Sequence, residues 1–367
     1  MAITGHATAE GTSRFRTRFA RDCPDRHFRE ADGLWWSSIG LGSYLGGLDD
    51  ATDTLVMQAL ASCVSAGVNV VDTAINYRYQ RAERCLGRAL ANLIDAGTIA
   101  RDEIVLCTKG GYLPHPDRAR WFEAEISGRP GGTVTAEDLV GGSHCMHPEY
   151  IDDQIERSRR NLGVDTIDLY YLHNPESQVG AVDEQTLHER LLTVFEVLER
   201  AADEDRIRMY GLATWNAFWV PAGEPGHMSL ELAKRLAAQS AKGRSDRLRF
   251  IQLPLNPTMP EALTLAAQTV GGHELPALAA CRELGVRAIA SRSVGKDTIH
   301  LPPKVVGTLG QDLKSDTQRS LQFARSAPEV VSALAGMKSP PHVSENLKLC
   351  AVDPLPASVF SGLPDYD

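Results

Sequence analysis

The chain has 367 residues, enough for a complete α/β barrel or for two smaller domains. Its 43% hydrophobic and 23% charged residues are the ordinary balance of a soluble globular protein, and a net charge of -9 with a pI near 5.7 gives no electrostatic reason to expect nucleic acid or an anionic membrane as partner. No apolar run reaches the ~18 residues a membrane span needs, and seven scattered cysteines without a C-x-x-C pair suit a reducing compartment, so the cytoplasm is the default location.

Residues 1–35 lack the apolar stretch of a secretory signal and read as an N-terminal extension, poorly ordered or packed at an edge. The arginines in this stretch leave an organelle transit peptide open. From there apolar runs alternate with helix-period segments. Strands are expected at 37–42, 68–72, 103–108, 166–172, 207–212, 249–253, 286–290 and 330–336. Helices are expected at 50–66, 79–95, 148–162, 183–203, 227–241, 259–283, 316–326 and 341–350. Gly67, Gly163 and Gly285 sit where a helix would end and hand over to a strand. Eight strand–helix pairs without a linker predict one domain over 1–367, a (β/α)8 TIM barrel. Two stretches interrupt the repeat. The insertion 110–147 after the third strand and the segment 293–315 after the seventh must both hang over the C-terminal face, as candidate lids. The Pro-rich tail, 352–367, is expected to cap the barrel loosely.

Four residues stand at or near strand ends: Asp72 and Tyr77 in GVNVVDTAINYR, Lys109 closing EIVLCTK, and His173 closing IDLYYLH. In a parallel barrel such ends share one face, where active sites are built. A phenol is a weak acid at neutral pH, and a nearby ammonium draws its pKa down. Lys109 supplies that ammonium, Asp72 its counter-charge, and a neutral His173 can hydrogen-bond a substrate oxygen beside Tyr77. The set suits proton delivery to an oxygen while hydride reaches the attached carbon.

The constellation resembles the aldo-keto reductase superfamily over about Ser38 to Leu349. GVNVVDTAINYRYQRAERCLGRAL is similar to its first signature, with Glu83 and Gly87 following the tyrosine. VLCTK and DLYYLHNP look like the other two members of its tetrad. The resemblance implies a barrel that binds NADPH without a Rossmann domain, with NAD left open, and a small carbonyl or hydroxyl substrate. Tyr77 would be the general acid, Lys109 and Asp72 its tuning pair, and His173 the group that orients the carbonyl. For the cofactor it implies Gly42, Ser43 and Tyr44 near the nicotinamide ribose, and Thr214 and Gln252 at the carboxamide. Ser291 stands where the family has an aromatic that stacks on the nicotinamide, so stacking must come from elsewhere or be absent. ALAGMKSPPHVSENL looks like the adenosine-phosphate segment. There Lys338 and Ser339 would meet the 2′-phosphate, with Asn346 toward the adenine and His342 also among the cofactor-binding residues.

GLGSYLGG places its third glycine one position too late for a dinucleotide fingerprint. His115, His144, Cys145 and His147 lack a zinc-type spacing, so no metal is expected and packing is the better reading. Trp121, Trp215 and Trp219 could form an apolar wall, and Arg78 and Arg81 could lend polarity to a pocket rim. Three functions remain to be told apart. They are a carbonyl reductase, a nicotinamide-binding regulatory subunit with little turnover, and a metal-dependent barrel hydrolase using the insertion histidines. The oligomeric state, the substrate and the direction of reaction are not legible.

Overall fold

A computed structural model describes residues 2–295, 300–301, 303–309 and 312–362. The first helix, α1 (Ala9–Arg18), is capped by Thr8, whose side chain accepts from the Gly11 N–H. A hairpin follows, β1 (Phe28–Ala31) and β2 (Leu34–Ser37). Its two-residue turn is Asp32–Gly33, both at positive φ, the chemistry such a turn selects. The N-terminal extension is therefore neither disordered nor confined to an edge. Ala7, Ala31, Leu34 and Trp36 pack into one apolar cluster with Val70, Val105, Leu169 and Phe250 near the strand N-termini, and so plug the bottom of the barrel. Trp36 is fully buried, its ring centre 4.7 Å from that of Phe250, with Nε1 donating to the Ala31 carbonyl.

The next elements are β3 (Ile39–Gly42), α2 (Asp50–Ser65), β4 (Val70–Asp72), α3 (Arg81–Asp95) and β5 (Val105–Gly110). The insertion holds a short helix, α4 (Arg118–Phe122), and a small hairpin, β6 (Leu139–Val140) with β7 (His144–Cys145). Then come α5 (Pro148–Leu162), β8 (Ile167–His173), α6 (Glu184–Asp203), β9 (Ile207–Ala213), α7 (Leu230–Ser240) and β10 (Leu248–Pro254). The α5 helix stops at Gly163 in the left-handed conformation, as its sequence position implies. Strands β3, β4, β5, β8, β9, β10 and two later ones, β13 (Arg287–Ser291) and β14 (Val330–Gly336), form a closed parallel barrel. All eight expected strands are present, shifted by at most two residues at an end. Gly211 leaves room for the Tyr171 ring, which fills the interior of the barrel; a Cβ there would lie 2.7 Å from that ring.

The expected helix 259–283 does not form as one piece. It is divided into α8 (Glu261–Thr264), a hairpin of β11 (Ala266–Val270) and β12 (His273–Pro276), and α9 (Ala277–Glu283). Gly271 and Gly272, at φ 56° and 84°, make the turn. Gln268 anchors the hairpin by accepting from the Leu230 N–H and donating to the Phe218 and Met228 carbonyls. The apolar residues of this stretch satisfy a helical period equally well, and only this tertiary anchor chooses between the two.

The chain ends with β13 (Arg287–Ser291), α10 (Pro303–Leu309), α11 (Asp316–Ser326), β14 (Val330–Gly336) and α12 (Pro340–Leu347). Of the expected lid 293–315, residues 296–299, 302 and 310–311 lie outside the described residues. Over residues 352–355 the tail is tied rather than loose, and 363–367 lie outside the described residues. Gln322 donates to the Asp353 carbonyl, Arg325 to the Val352 carbonyl, and the Leu355 N–H to Ser326 Oγ. The seven cysteines are buried and free, and no helix among the described residues is long and apolar enough to cross a membrane.

Candidate active site

Strand register brings Asp72, Lys109 and His173 to one end of the barrel, and the turn after β4 adds Tyr77. Asp72 ends β4 beside Gly42 and Cys107, Lys109 in β5 lies beside Tyr171, and His173 ends β8 beside Ala213. Lys109 is fully buried. Its Nζ donates to Asp72 Oδ1 at 2.5 Å and to the Thr73 carbonyl at 2.8 Å, and it lies 5.1 Å from the centre of the Tyr77 ring. Gln252 Nε2 donates to the other Asp72 oxygen at 2.9 Å. Burial opposes the Lys109 charge, but the Asp72 carboxylate and its hydrogen bond, together with the neighbouring Tyr77 and Cys107, hold the ammonium above its ordinary pKa. Burial likewise pushes Asp72 up against the pull of Lys109. The short contact and the second donor from Gln252 favour the ion pair over a neutral carboxyl.

The Tyr77 ring stands 5.8 Å from the His173 ring and 4.9 Å from that of Tyr44. Burial raises the Tyr77 phenol above its ordinary value. The expected downward pull of Lys109 is present, but burial outweighs it, so the group stays protonated. Burial, then the Lys109 charge, drives His173 well below the usual imidazole range and keeps it neutral. Its Nδ1 is buried without a hydrogen-bond partner.

Tyr77 is held by an unusual turn. Arg78, Tyr79 and Gln80 are all left-handed, at φ 47°, 52° and 70°, which is costly for residues with a Cβ. Arg78 offsets that cost by burying its guanidinium against Asp53 at 2.7 Å. The expectation that Arg78 and Arg81 dress the pocket rim is thus corrected. Arg78 is buried and Arg81 pairs with Asp50 and Asp53, because Asp53 on α2 faces the turn. Glu83 is buried as well, accepting from Thr108 Oγ1 and Asn161 Nδ2.

The insertion contributes Tyr112, whose ring is 5.2 Å from His173 and whose hydroxyl meets Ser177 Oγ at 2.8 Å. His144 is buried between the His173 carbonyl, 2.7 Å from Nε2, and the Gln178 amide, which donates to Nδ1 at 2.9 Å. This fixes the proton on Nε2 and makes His144 a packed, satisfied side chain. Cys145 is buried, and His115 and His147 lie on local turns. No group of three or more His, Cys, Asp or Glu among the described residues is disposed to hold a metal. Trp121 is buried under Arg157, while Trp215 is exposed.

Burial lowers His144 to about 4 from 6.5. A lowered folded pKa means that the unfolded chain takes up the proton first, so this contribution is whole above 6.5 and is lost as pH falls toward 4. Between about pH 7 and pH 5, His144→Gln should flatten the fall in unfolding free energy by about 1.5–2 kcal/mol. Urea titrations at the two pH values measure it, and parallel falls in both proteins would refute it.

Of the residues selected for the cofactor, Ser43 is buried with Oγ donating to the Asp72 carbonyl, and Gly42 pairs with Asp72 and Gly336. Tyr44 is 65% exposed. Thr214 Oγ1 and Asn346 Oδ1 are both buried without a partner. Ser339 caps α12 by position, yet its side chain makes no capping hydrogen bond. Lys338 is half-buried without an ion pair among the described residues, and His342 is exposed. Ser291, half-buried, offers no aromatic face at the end of β13.

Sequence reasoning missed Glu176. It lies three residues past His173, with Oε1 accepting from the Trp215 N–H at 2.5 Å and Oε2 buried without a partner. Burial raises this carboxyl to about 7. Only the spacing HNPE hinted at it. A raised carboxyl stabilises the fold below about 4.5, and that contribution is lost as pH rises through about 7. Glu176→Gln should therefore be more stable than the parent by on the order of 1–2 kcal/mol at about pH 8, with the gain gone near pH 4. Denaturant midpoints at both values would show a pH-independent difference if the reasoning fails.

Residues 38–220 match the model of the aldo/keto reductase family. Among curated relatives, a D-threo-aldose 1-dehydrogenase from Pseudomonas sp is 28% identical over 186 residues, 49% of each chain. The chain spans about half the length of the curated relatives it matches. Among solved structures, an aldo-keto reductase from Bacillus halodurans in its holo form aligns with a TM-score of 0.61 at 19% identity, over 91% of this chain and 94% of that one. An aldo/keto reductase from Klebsiella pneumoniae in complex with NADP and acetate aligns at 0.58 and 19%, over 90% and 91%. At these identities the structural likeness is one of fold.

Proposed function

This chain belongs, through residues 38–220, to the aldo/keto reductase family, and on that premise we propose that it is an NADP(H)-dependent oxidoreductase interconverting the carbonyl and alcohol of a small aldehyde, ketone or sugar-like substrate. The observation that carries the reading is the buried Lys109, paired with Asp72 and 5.1 Å from the Tyr77 ring, beside a neutral His173.

The polar atoms left over at the same face fit a dinucleotide. Thr214 Oγ1 and Asn346 Oδ1 are buried and unpartnered, and both belong to segments selected for it from sequence. In this reading Thr214 and Gln252 hold the carboxamide, while Gly42, Ser43 and Tyr44 flank the ribose. Lys338, Ser339 and the N-terminus of α12 receive the 2′-phosphate, where helix dipole and ammonium both favour an anion. His342 and Asn346 lie toward the adenine. Ser291 leaves the stacking face open. When bound, NADPH supplies the hydride that the carbonyl carbon accepts.

The chain's own residues supply the rest. His173, uncharged, donates a hydrogen bond that polarises the carbonyl oxygen. As negative charge grows on that oxygen, the Tyr77 hydroxyl delivers its proton, and the phenolate left behind is stabilised by the Lys109 ammonium. Asp72, itself held by Gln252 and by Lys109, keeps Lys109 charged. In oxidation the same proton returns to the phenolate. Positioned general acids of this kind contribute about 10²–10⁴-fold.

Purified protein incubated with NADPH and a panel of aldehydes should oxidise the cofactor in step with alcohol formation. Tight NADPH binding with no oxidation across the panel would instead indicate a nicotinamide-binding regulatory subunit.

A further inference from the structure

Trp215 and Arg292 meet on one side of the barrel mouth in an arrangement that the proton transfer does not use. Arg292 directly follows β13 and is left-handed, φ 50°, a conformation unfavourable for a residue with a Cβ. Asn256 secures the turn by donating Nδ2–H to the Arg292 carbonyl at 3.1 Å. β10 lies between β13 and β9, and the Arg292 guanidinium carbon stands 4.7 Å from the centre of the Trp215 ring. Trp215 is 42% exposed, and its backbone N–H is pinned by Glu176, which puts this wall in direct continuity with His173.

Arg292 makes no ion pair with any carboxylate among the described residues, in a chain where 47 acidic residues outnumber 38 basic ones. A guanidinium whose partner is an aromatic face keeps its N–H groups for another ligand. Its planar fork matches a carboxylate bidentately. The opposite side of the mouth is aromatic and uncharged, built from Tyr44, Tyr77 and Tyr112. Of these two walls, the one with Arg292 carries the cation.

We propose that Arg292, seated on Trp215, receives a carboxylate carried by the substrate, so that the site selects carbonyl compounds bearing an acid group. This rests on the carbonyl-reductase reading and adds a substrate class to it. A substrate whose oxygen meets Tyr77 and His173 extends its remainder toward one of the two walls, and an acid group is drawn to the Arg292 side. Trp215 acts as the platform that holds the cation in place.

The test compares 4-carboxybenzaldehyde with its methyl ester, both by kcat/KM with NADPH and by calorimetric Kd on the NADP+-bound protein. The wild type should favour the acid, and Arg292→Gln should reduce the acid-to-ester ratio by about tenfold to a hundredfold, as expected for a lost charge-assisted hydrogen-bond pair. Trp215→Ala should reduce it in the same direction, and Arg292→Lys should restore part of it. An unchanged ratio in Arg292→Gln would overturn the proposal. So would a loss confined to NADPH binding, which would give the cation to the cofactor phosphates. If neither compound is turned over while calorimetry still discriminates acid from ester in the wild type and not in Arg292→Gln, the subsite stands and the carbonyl-reductase reading falls.

Discussion

Tyr77→Phe is expected to lower kcat by about 10²–10⁴-fold, the share of a positioned general acid, while leaving the affinity for NADPH within a few-fold of the parent. The substitution removes one oxygen and keeps the ring that stacks near Tyr44 and His173. The buried Lys109–Asp72 pair beneath it is untouched, so the fold should be unperturbed. An effect on kcat without a matching effect on cofactor affinity separates proton delivery from binding. Steady-state kinetics together with a fluorescence titration of NADPH measure the two quantities. A variant with near-parental turnover would remove Tyr77 from the chemistry.

The second large effect concerns stability. Lys109→Met should destabilise the protein by about 3–5 kcal/mol, because it leaves the Asp72 carboxylate buried without its cation. Gln252 would still donate to Asp72, but one neutral hydrogen bond does not replace an ammonium at 2.5 Å. Asp72→Asn in the same background should recover much of the loss by removing the orphan charge, a coupling that a double-mutant cycle in urea isolates. Turnover should stay low in the double variant, since the phenolate of Tyr77 then has no cation beside it. Additive losses in the cycle would mean that the two side chains do not act as a pair.

These two predictions rest on residues that were visible in the sequence, and the reason is geometric. Asp72, Lys109 and His173 each close an apolar run. In a parallel barrel such a run is a strand buried on both faces, so its end is the one place where a polar group meets the mouth. The eight strands were legible for the same reason. What escaped depends on contacts distant in sequence. Nothing local says that Asp53 on α2 would bury Arg78 and hold three left-handed residues behind Tyr77. The double glycine at 271–272 offered a hint of the β11–β12 hairpin, yet the surrounding apolar spacing suited a helix until Gln268 found the β9–α7 loop. The plug combines Ala7, ahead of α1, with Leu34 and Trp36 of a short hairpin, and its partner surface is the barrel floor. Glu176 is ordinary in sequence and becomes distinctive only when the chain folds its carboxyl away from water beside Trp215.

The central claim is that Tyr77 gives a proton to an oxygen whose carbon receives hydride. The most direct measurement is a single turnover of benzaldehyde with NADPH deuterated at the transferring position of nicotinamide C4, followed by mass analysis of the product. The account predicts benzyl alcohol with one deuterium on carbon, formed rapidly by the parent and slowed by about 10²-fold or more in Tyr77→Phe. Unlabelled alcohol, or no alcohol from protein that demonstrably holds the cofactor, would contradict it.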